Sequence, residues 1–490
     1  MAIRRYVANA DNTISNGYQE DLATRATGSN MGLSDVSEIY SIYGRQTTTS
    51  SELSRIITKF DVSSISSDRT AGTIPASGEV SFYLRLYNAE TSNTVPKDFK
   101  LVVEAISRDW NEGDGLDLEN YKDLGVSNWI SASDGVAWTT SGGDYHATPT
   151  FEQTFETGLE DLEIDITTLV EEWITGAGGG GKANYGVGIR LTSSNEASSS
   201  VNPDGAQESY YTKRFFARGT QYFFKKPTIE ARWNSSTQDD RGDFYYSSSL
   251  APAEDNLNTL YLYNYVRGQL TNIPDIGTGE IYVDLYSGST TPVSAELVQS
   301  VATPATGGYV STGIYSCSVC ITASATPLTK LFDVWYSGST QYFTGTIKPV
   351  EYEALGASTG NKRYVTKIKN LRNKYFSEEE ARFNVYVRSK NWSPTIYTVA
   401  SEEIENTIIP SASYRVYRVL DGYNVIPHGT GSDLQTLLSY DVSGNYFNLD
   451  MSLLEPGYEY GIKLAFYDSQ RQSWLEQDQK FLFRVEDYEY

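Results

Sequence analysis

Residues 79–88 read EVSFYLRLYN, and this stretch decides the fold class. Val80, Phe82, Leu84 and Leu86 alternate with Tyr83 and Arg85, the period of two expected of a strand with one buried face. Working outward, the same kind of run recurs at 54–65 (SRIITKFDVSSI), 99–110 (FKLVVEAISRDW) and 184–193 (NYGVGIRLTS). Further runs stand at 259–266, 279–289, 311–322, 330–349, 381–389, 413–420, 458–468 and 479–487, separated by turn-forming clusters. The 330–349 run, KLFDVWYSGSTQYFTGTIKP, predicts a hairpin turning at SGST. With 38 Tyr, 18 Phe and only 3 Met in 490 residues, composition also favours strands. The reading is all-β, with three tandem β-sandwich domains over 1–233, 234–350 and 351–490, at roughly 100–200 residues per domain. The polar stretch NSSTQDDRGD at 234–243 reads as a linker between the first two.

One segment breaks the period. In DITTLVEEWITG, Ile166, Leu169, Val170, Trp173 and Ile174 recur at helical spacing, with Thr168 and Glu171 placed as a capping box and Gly176 beyond the end. This predicts one short amphipathic helix, covering an edge or end of the first sandwich.

Two Cys and two His in the whole chain leave little material for thiol, metal or imidazole chemistry. Cys317 and Cys320 form a CxxC within an apparent strand, where positions i and i+3 face opposite ways, so they read as structural thiols. His146 and His428 fall in loops of different domains with no nucleophile or orienting group nominated beside them. Arg241-Gly242-Asp243 reads as a chance turn, Asn-x-Ser at Asn234 and Asn391 is uninformative, and GAGGGGK at 176–182 lacks Walker spacing. No carboxylate pair stands out. The expectation is a protein that is not an enzyme and needs no cofactor. A net charge of −23 works against nucleic acid and anionic lipid, and no apolar run of about 18 residues or signal-like segment is present, so neither membrane insertion nor secretion is expected.

Two candidate sites remain. Asp109, Asn111, Asp114 and Asp117 gather oxygen donors around two glycines, the chemistry Ca²⁺ prefers, although Gly113 and Asn120 stand where EF-hand ligands belong. Trp110, Trp129, Trp138 and Tyr145 lie in one loop-rich stretch with Asn and Asp, the composition of a platform for sugar rings. The same aromatics also build cores and subunit interfaces, and both uses stand at this point.

Several stretches resemble known families. ADNTI at 10–14, SNMG at 29–32, Lys59-Phe60-Asp61, DWNEGDG at 109–115, the DITTLVEEW helix, NYGVGIRL and the closing RFFARGTQYFFKKPTIEARW at 214–233 resemble, in order, the DNRLRE type of β-sandwich, which is related to polysaccharide-binding modules. In that family Trp-x-Glu-Gly is commonly a structural turn, and the eponymous Asp-Asn-Arg-Leu-Arg-Glu string is absent here. Gly313-Ile314-Tyr315-Ser316-Cys317 resembles the tyrosine corner of immunoglobulin domains, and LLEPGYEY at 453–460 that of fibronectin type III sandwiches. As a whole the chain resembles acidic, Tyr-rich virion structural proteins of tailed bacteriophages from marine and cyanobacterial hosts. That resemblance implies a tail, baseplate, neck or capsid-decorating component in the virion, whose partners are other virion proteins and copies of itself. The alternative is a polysaccharide-binding adhesin holding host surface glycan through its first domain.

Overall fold

The strand Ile3–Ser15 serves two layers at once. Its residues 3–7 pair antiparallel with Thr228–Arg232, its residues 8–15 pair with Ser51–Phe60, and the register shifts between Ala8 and Ala10. A bulge inserts a residue and turns the strand, which lets one strand cross from one sheet to the other. The computed structural model describes residues 2–44, 51–92, 94–116, 125–248, 252, 256–287, 304–322, 328–349, 363–393, 395–396, 406–429, 434–469 and 471–487. It divides into two compact units, one built on Ala2–Asn234 and the other on Ser235–Ser432 with Thr436–Tyr490.

In the first unit, one layer continues from Ile3–Ser15 through Thr228–Arg232 and Ser81–Leu86 to Leu162–Asp165. The other runs Tyr145–Phe155, Phe99–Ile106, Val187–Leu191, Ser51–Phe60, with Val36–Tyr43 and Tyr210–Phe216 beyond. The alternation read in the sequence is realised: Phe82, Leu84 and Leu86 are buried between the layers with Leu101, Val103, Ile189 and Phe215. Each such side chain contributes about 1.5–3 kcal/mol by leaving water.

The helix Thr167–Thr175 forms where expected and buries Leu169, Val170 and Trp173, but the capping box does not. Its N-cap is Ile166, without a side-chain bond, because Glu171 is drawn instead to Arg69 at 2.6 Å. Arg69 belongs to a second helix, Val62–Thr70, in a stretch whose start (to Ile65) the sequence reading ran into a strand. The strand ends at Phe60, and Asp61 caps the helix by accepting from the Ser63 N–H at 3.0 Å. Serines compete poorly for a helix interior but well for a cap, which hid this helix from periodicity. Among the described residues the first sandwich therefore carries two α-helices.

One buried charge organises the outer face of the first layer. The Glu230 carboxylate lies 2.7 Å from both Arg5 and Arg232 and 3.4 Å from Arg85. Burial opposes its ionisation, yet the three guanidiniums hold it far below the usual carboxylate range.

In the second unit, six strands over 258–347 are ordered Asn258–Tyr263, Ile314–Val319, Ala305–Ser311, Ile281–Ser287, Leu331–Ser337, Thr340–Ile347. Here Ala305–Ser311 changes partner midway, pairing first with 281–283 and then with 314–316. The hairpin turns at Gly338, φ 57°, with Ser337 opposite Thr340, as SGST predicts. The Tyr315 hydroxyl accepts from the Ile273 N–H at 3.0 Å and donates to the Gly277 carbonyl at 2.8 Å, closing the tyrosine corner. The strands of 364–486 form two further sheets over an aromatic core in which Tyr414 stacks on Phe447 at 4.1 Å. There the Tyr460 hydroxyl donates to the Glu455 carbonyl at 2.7 Å, the second corner.

The stretch read as a linker is held in place by hydrogen bonds, with Asp239 buried and 236–243 otherwise half-buried. Thr237 and Asp239 bond the backbone of Tyr440, and the Asp240 carboxylate accepts from the Tyr440 hydroxyl and the Thr259 N–H, both at 2.6 Å. Arg241 is not a presented Arg-Gly-Asp side chain: it is held between Asp239 at 2.8 Å and Asp333 at 2.6 Å. Its polar composition reflects ion pairing and not solvent exposure.

Two predictions follow from these charges. Glu230→Gln removes the buried anion that Arg5, Arg85 and Arg232 share, leaving Arg85 and Arg232 with Glu163 at 3.3 and 2.8 Å, and lowers the stability of the first unit by about 3–5 kcal/mol, read by urea unfolding. Burial pushes the Asp239 and Asp243 carboxyls up to about 6 from 3.8, so between those values the folded state holds more protons than the unfolded. Stability of the second unit therefore falls as pH rises from about 4 to about 6 and levels above. Its urea midpoint is expected to be higher at pH 5 than at pH 7, and Asp239→Asn is expected to flatten the difference.

Candidate functional site

Ile56 and Ile57 are adjacent on Ser51–Phe60 and must point to opposite faces. Ile56 enters the main core, whereas Ile57 joins Ile14, Ile106, Trp110, Trp129, Ala132 and Trp138 on the outer face of the same sheet. The loop-rich stretch after Ile106 thus folds back to cover an apolar outer face. Its tryptophans are the cover: Trp110, Trp129 and Trp138 are 4%, 7% and 5% exposed. The Trp110 indole N–H donates to the Tyr185 carbonyl and that of Trp138 to the Asn128 carbonyl, each at 2.8 Å. The expectation of a tryptophan platform for sugar rings is corrected here, because a sheet apolar on both faces takes up the rings itself.

Tyr145 packs on this cluster but stays half-buried. Its hydroxyl donates to the Gly142 carbonyl at 2.7 Å, and its ring lies over Gly188, where an added Cβ would come within 2.1 Å of it. Beside it opens a cleft of about 830 Å³, walled by Tyr145 and Tyr185 with Arg55, Arg108, Arg190 and Asp144. Every cation here has an anion: Arg55–Glu196 at 3.0 Å, Arg190–Glu104 at 2.7 Å, Arg108–Asp144 at 2.8 Å and Lys59–Asp109 at 2.7 Å. Burial opposes the Asp144 carboxylate, but N–H bonds from Thr139 and Thr140 and the Arg108 guanidinium hold it below its ordinary value. Charge-balanced fixed donors and acceptors beside aromatic walls suit a hydroxyl-rich ligand. Tyr145, one of the aromatics singled out in the sequence, lines this cleft, whereas Arg55, Arg190 and Tyr185 lie on or beside strands far apart in the chain and carry no local signal.

The candidate calcium loop spends its groups on holding its own shape. Asp109 pairs with Lys59, Glu112 takes Arg218 at 2.8 Å, and Gly113 and Gly115 press on Asn30, whose side-chain oxygen accepts from the Gly115 N–H at 2.8 Å. Asn111 and Asp114 are exposed, and Asp117 lies outside the described residues. Among the described residues no group of three or more His, Cys, Asp or Glu is placed to hold a metal ion.

His146 sits in the strand Tyr145–Phe155 and not in a loop, and it lines the cleft. Burial, and then Lys182, hold its imidazole below its ordinary value. His428 gives a constellation that the sequence did not show. Its Nδ1 is 3.2 Å from the Ser413 hydroxyl and its Nε2 is 3.6 Å from Glu476. The order serine, histidine, carboxylate is that of a nucleophile relay, but its parts are otherwise engaged. Ser413 is fully buried and shares its hydroxyl with Thr436 at 2.8 Å, while Glu476 is bound by Arg415 at 2.5 Å and Lys463 at 2.6 Å. A serine without exposed surface offers a substrate no approach. Cys317 is buried in the core of the second sandwich and Cys320 half-buried; both are free, and burial pushes the Cys317 thiol up to about 12.

No family model matches the chain, and no curated protein matches it. Among solved structures it is similar to the tandem Ig repeats of Dlar, at 10% identity over 48% of this chain and 91% of that one, with a TM-score of 0.14. It is also similar to Salmonella alpha-2-macroglobulin reacted with methylamine, at 8% identity over 99% of this chain and 34% of that one, with a TM-score of 0.15. At such scores the likeness adds nothing to the fold read from the strands themselves.

If the tryptophans are core, Trp129→Ala costs about 3–5 kcal/mol of first-unit stability, measurable by urea unfolding, whereas a surface platform residue would cost far less. The Cys317 thiol, protonated at pH 8, is expected to resist iodoacetamide in the folded chain and to react once urea unfolds the second unit.

Proposed function

We propose that this chain is a non-catalytic structural component of a tailed-bacteriophage virion, in the tail, baseplate, neck or capsid-decorating class. It acts through protein–protein interfaces with other virion proteins and with copies of itself. The observation that carries the reading is an apolar end on the second sandwich. The hairpin 264–271 and the turn 311–314 are joined by the Asn264 N–H donating to the Gly313 carbonyl at 2.8 Å, and around them Tyr265, Val266, Tyr309 and Val310 are 58%, 50%, 37% and 49% exposed. Aromatic and aliphatic side chains grouped at an exposed tip are the composition of an interface core. The test is mass spectrometry of purified particles: stoichiometric presence is expected, and absence from intact particles would sink the reading. Tyr265→Asp is expected to reduce incorporation without lowering the melting temperature of the isolated chain.

A second reading, glycan attachment by the first sandwich, is favoured by the cleft beside Tyr145 and Tyr185. Binding on an array of microbial surface glycans is expected to weaken about tenfold in Arg108→Ala, whose side chain is 39% exposed and lines the cleft. Silence across the array would remove this reading and leave the first untouched.

A further inference from the structure

Sheet edges expose unpaired N–H and C=O groups, and proteins guard them with charge, proline or covering segments. This chain does so at its other long edges among the described residues. Leu162–Asp165 carries Glu163 and Asp165, Tyr145–Phe155 carries Pro149 and Glu152, Tyr210–Phe216 carries Lys213 and Arg214, and Tyr364–Ile368 carries Lys367. Asn258–Tyr263 is uncharged, but Asp240 occupies the Thr259 N–H at 2.6 Å and Tyr245 bonds the Asn258 side chain. Thr340–Ile347 is different. Its eight residues, TQYFTGTI, hold no charge and no proline, and among the described residues it pairs only with Leu331–Ser337. A bulge at Tyr342 sits near the hairpin end and leaves 343–347 in unbroken register. Phe343 and Thr346 are exposed along it.

We propose that Thr340–Ile347 pairs antiparallel with the same strand of a second copy, joining two six-stranded sheets across a two-fold axis. The occupant follows from charge. Two chains of net charge −23 repel over most of their surface, so copies approach at lowest cost through a neutral edge. The acid nearest in register, Asp333 opposite Gly345, is buried and bound at 2.6 Å by Arg241, which it shares with Asp239 and which lies 5.6 Å over the Phe343 ring. An isologous antiparallel pair needs no second sequence, because each residue meets its own segment. The inference rests on the assembly reading and names one of its partners.

Sedimentation equilibrium on the full isolated chain tests it. The unaltered chain is expected to dimerise, and Thr346→Lys, which sets two lysines near one another at the paired edges, to raise the dimer dissociation constant about tenfold or more. Thr346→Ser is expected to leave it unchanged. Because Thr346 is exposed, an unaltered melting temperature shows that Thr346→Lys still folds. A chain that stays monomeric, or a dimer indifferent to Thr346→Lys, overturns the proposal. Neither result bears on whether the chain is found in particles, which judges the assembly reading separately.

Discussion

The first sandwich depends on a sheet that is apolar on both faces. Ile56 and Ile57 cannot share a side, so covering Ile56 with the second layer leaves Ile57 requiring a cover of its own. The stretch from Ile106 to Tyr145 supplies it with three tryptophans, and Tyr145, which lies over Gly188, packs against them beside the cleft. Of the two uses that composition left open for these tryptophans, sugar platform and core, they take the second. What stays open is the rim, where paired ions stand around Tyr145 and Tyr185.

The second unit adds buried carboxylates to its hydrophobic cores. Asp239 and Asp333 share the Arg241 guanidinium, and Asp240 ties Tyr440 to Thr259. Two acids on one guanidinium leave a net negative charge in a poorly solvated place, which raises the pKa of Asp239 and makes the joint more stable at acidic than at neutral pH. The arrangement is specific in geometry at some expense in stability, and it converts a polar stretch into a packed joint.

Much of the architecture was legible because strand periodicity and corner motifs are local. Phe82, Leu84 and Leu86 announce their face by spacing alone, the SGST turn by its glycine, and Tyr315 and Tyr460 by their neighbours. The helix at Val62–Thr70 was not legible, since its interior is serine-rich and its signal lies in the Asp61 cap. The docking of 237–243 was hidden as well: Asp240 and Arg241 look solvated until their partners, Tyr440 and Asp333, arrive from about 200 and 90 residues away. The Ser413, His428 and Glu476 grouping is of the same kind. Long-range pairing places it, and only burial shows that Ser413 is closed to substrate.

Among the described residues, Ser413 and Cys317 are enclosed, whereas the second sandwich presents an apolar tip and a sheet edge without charge or proline. Hydrogen–deuterium exchange, comparing the free chain with the same chain in the intact assembly, tests this most directly. The account predicts slowed exchange at 264–270, 309–314 and 340–347, with the rim at 139–146 unchanged. Slowing confined to the rim, or no difference anywhere, would contradict it.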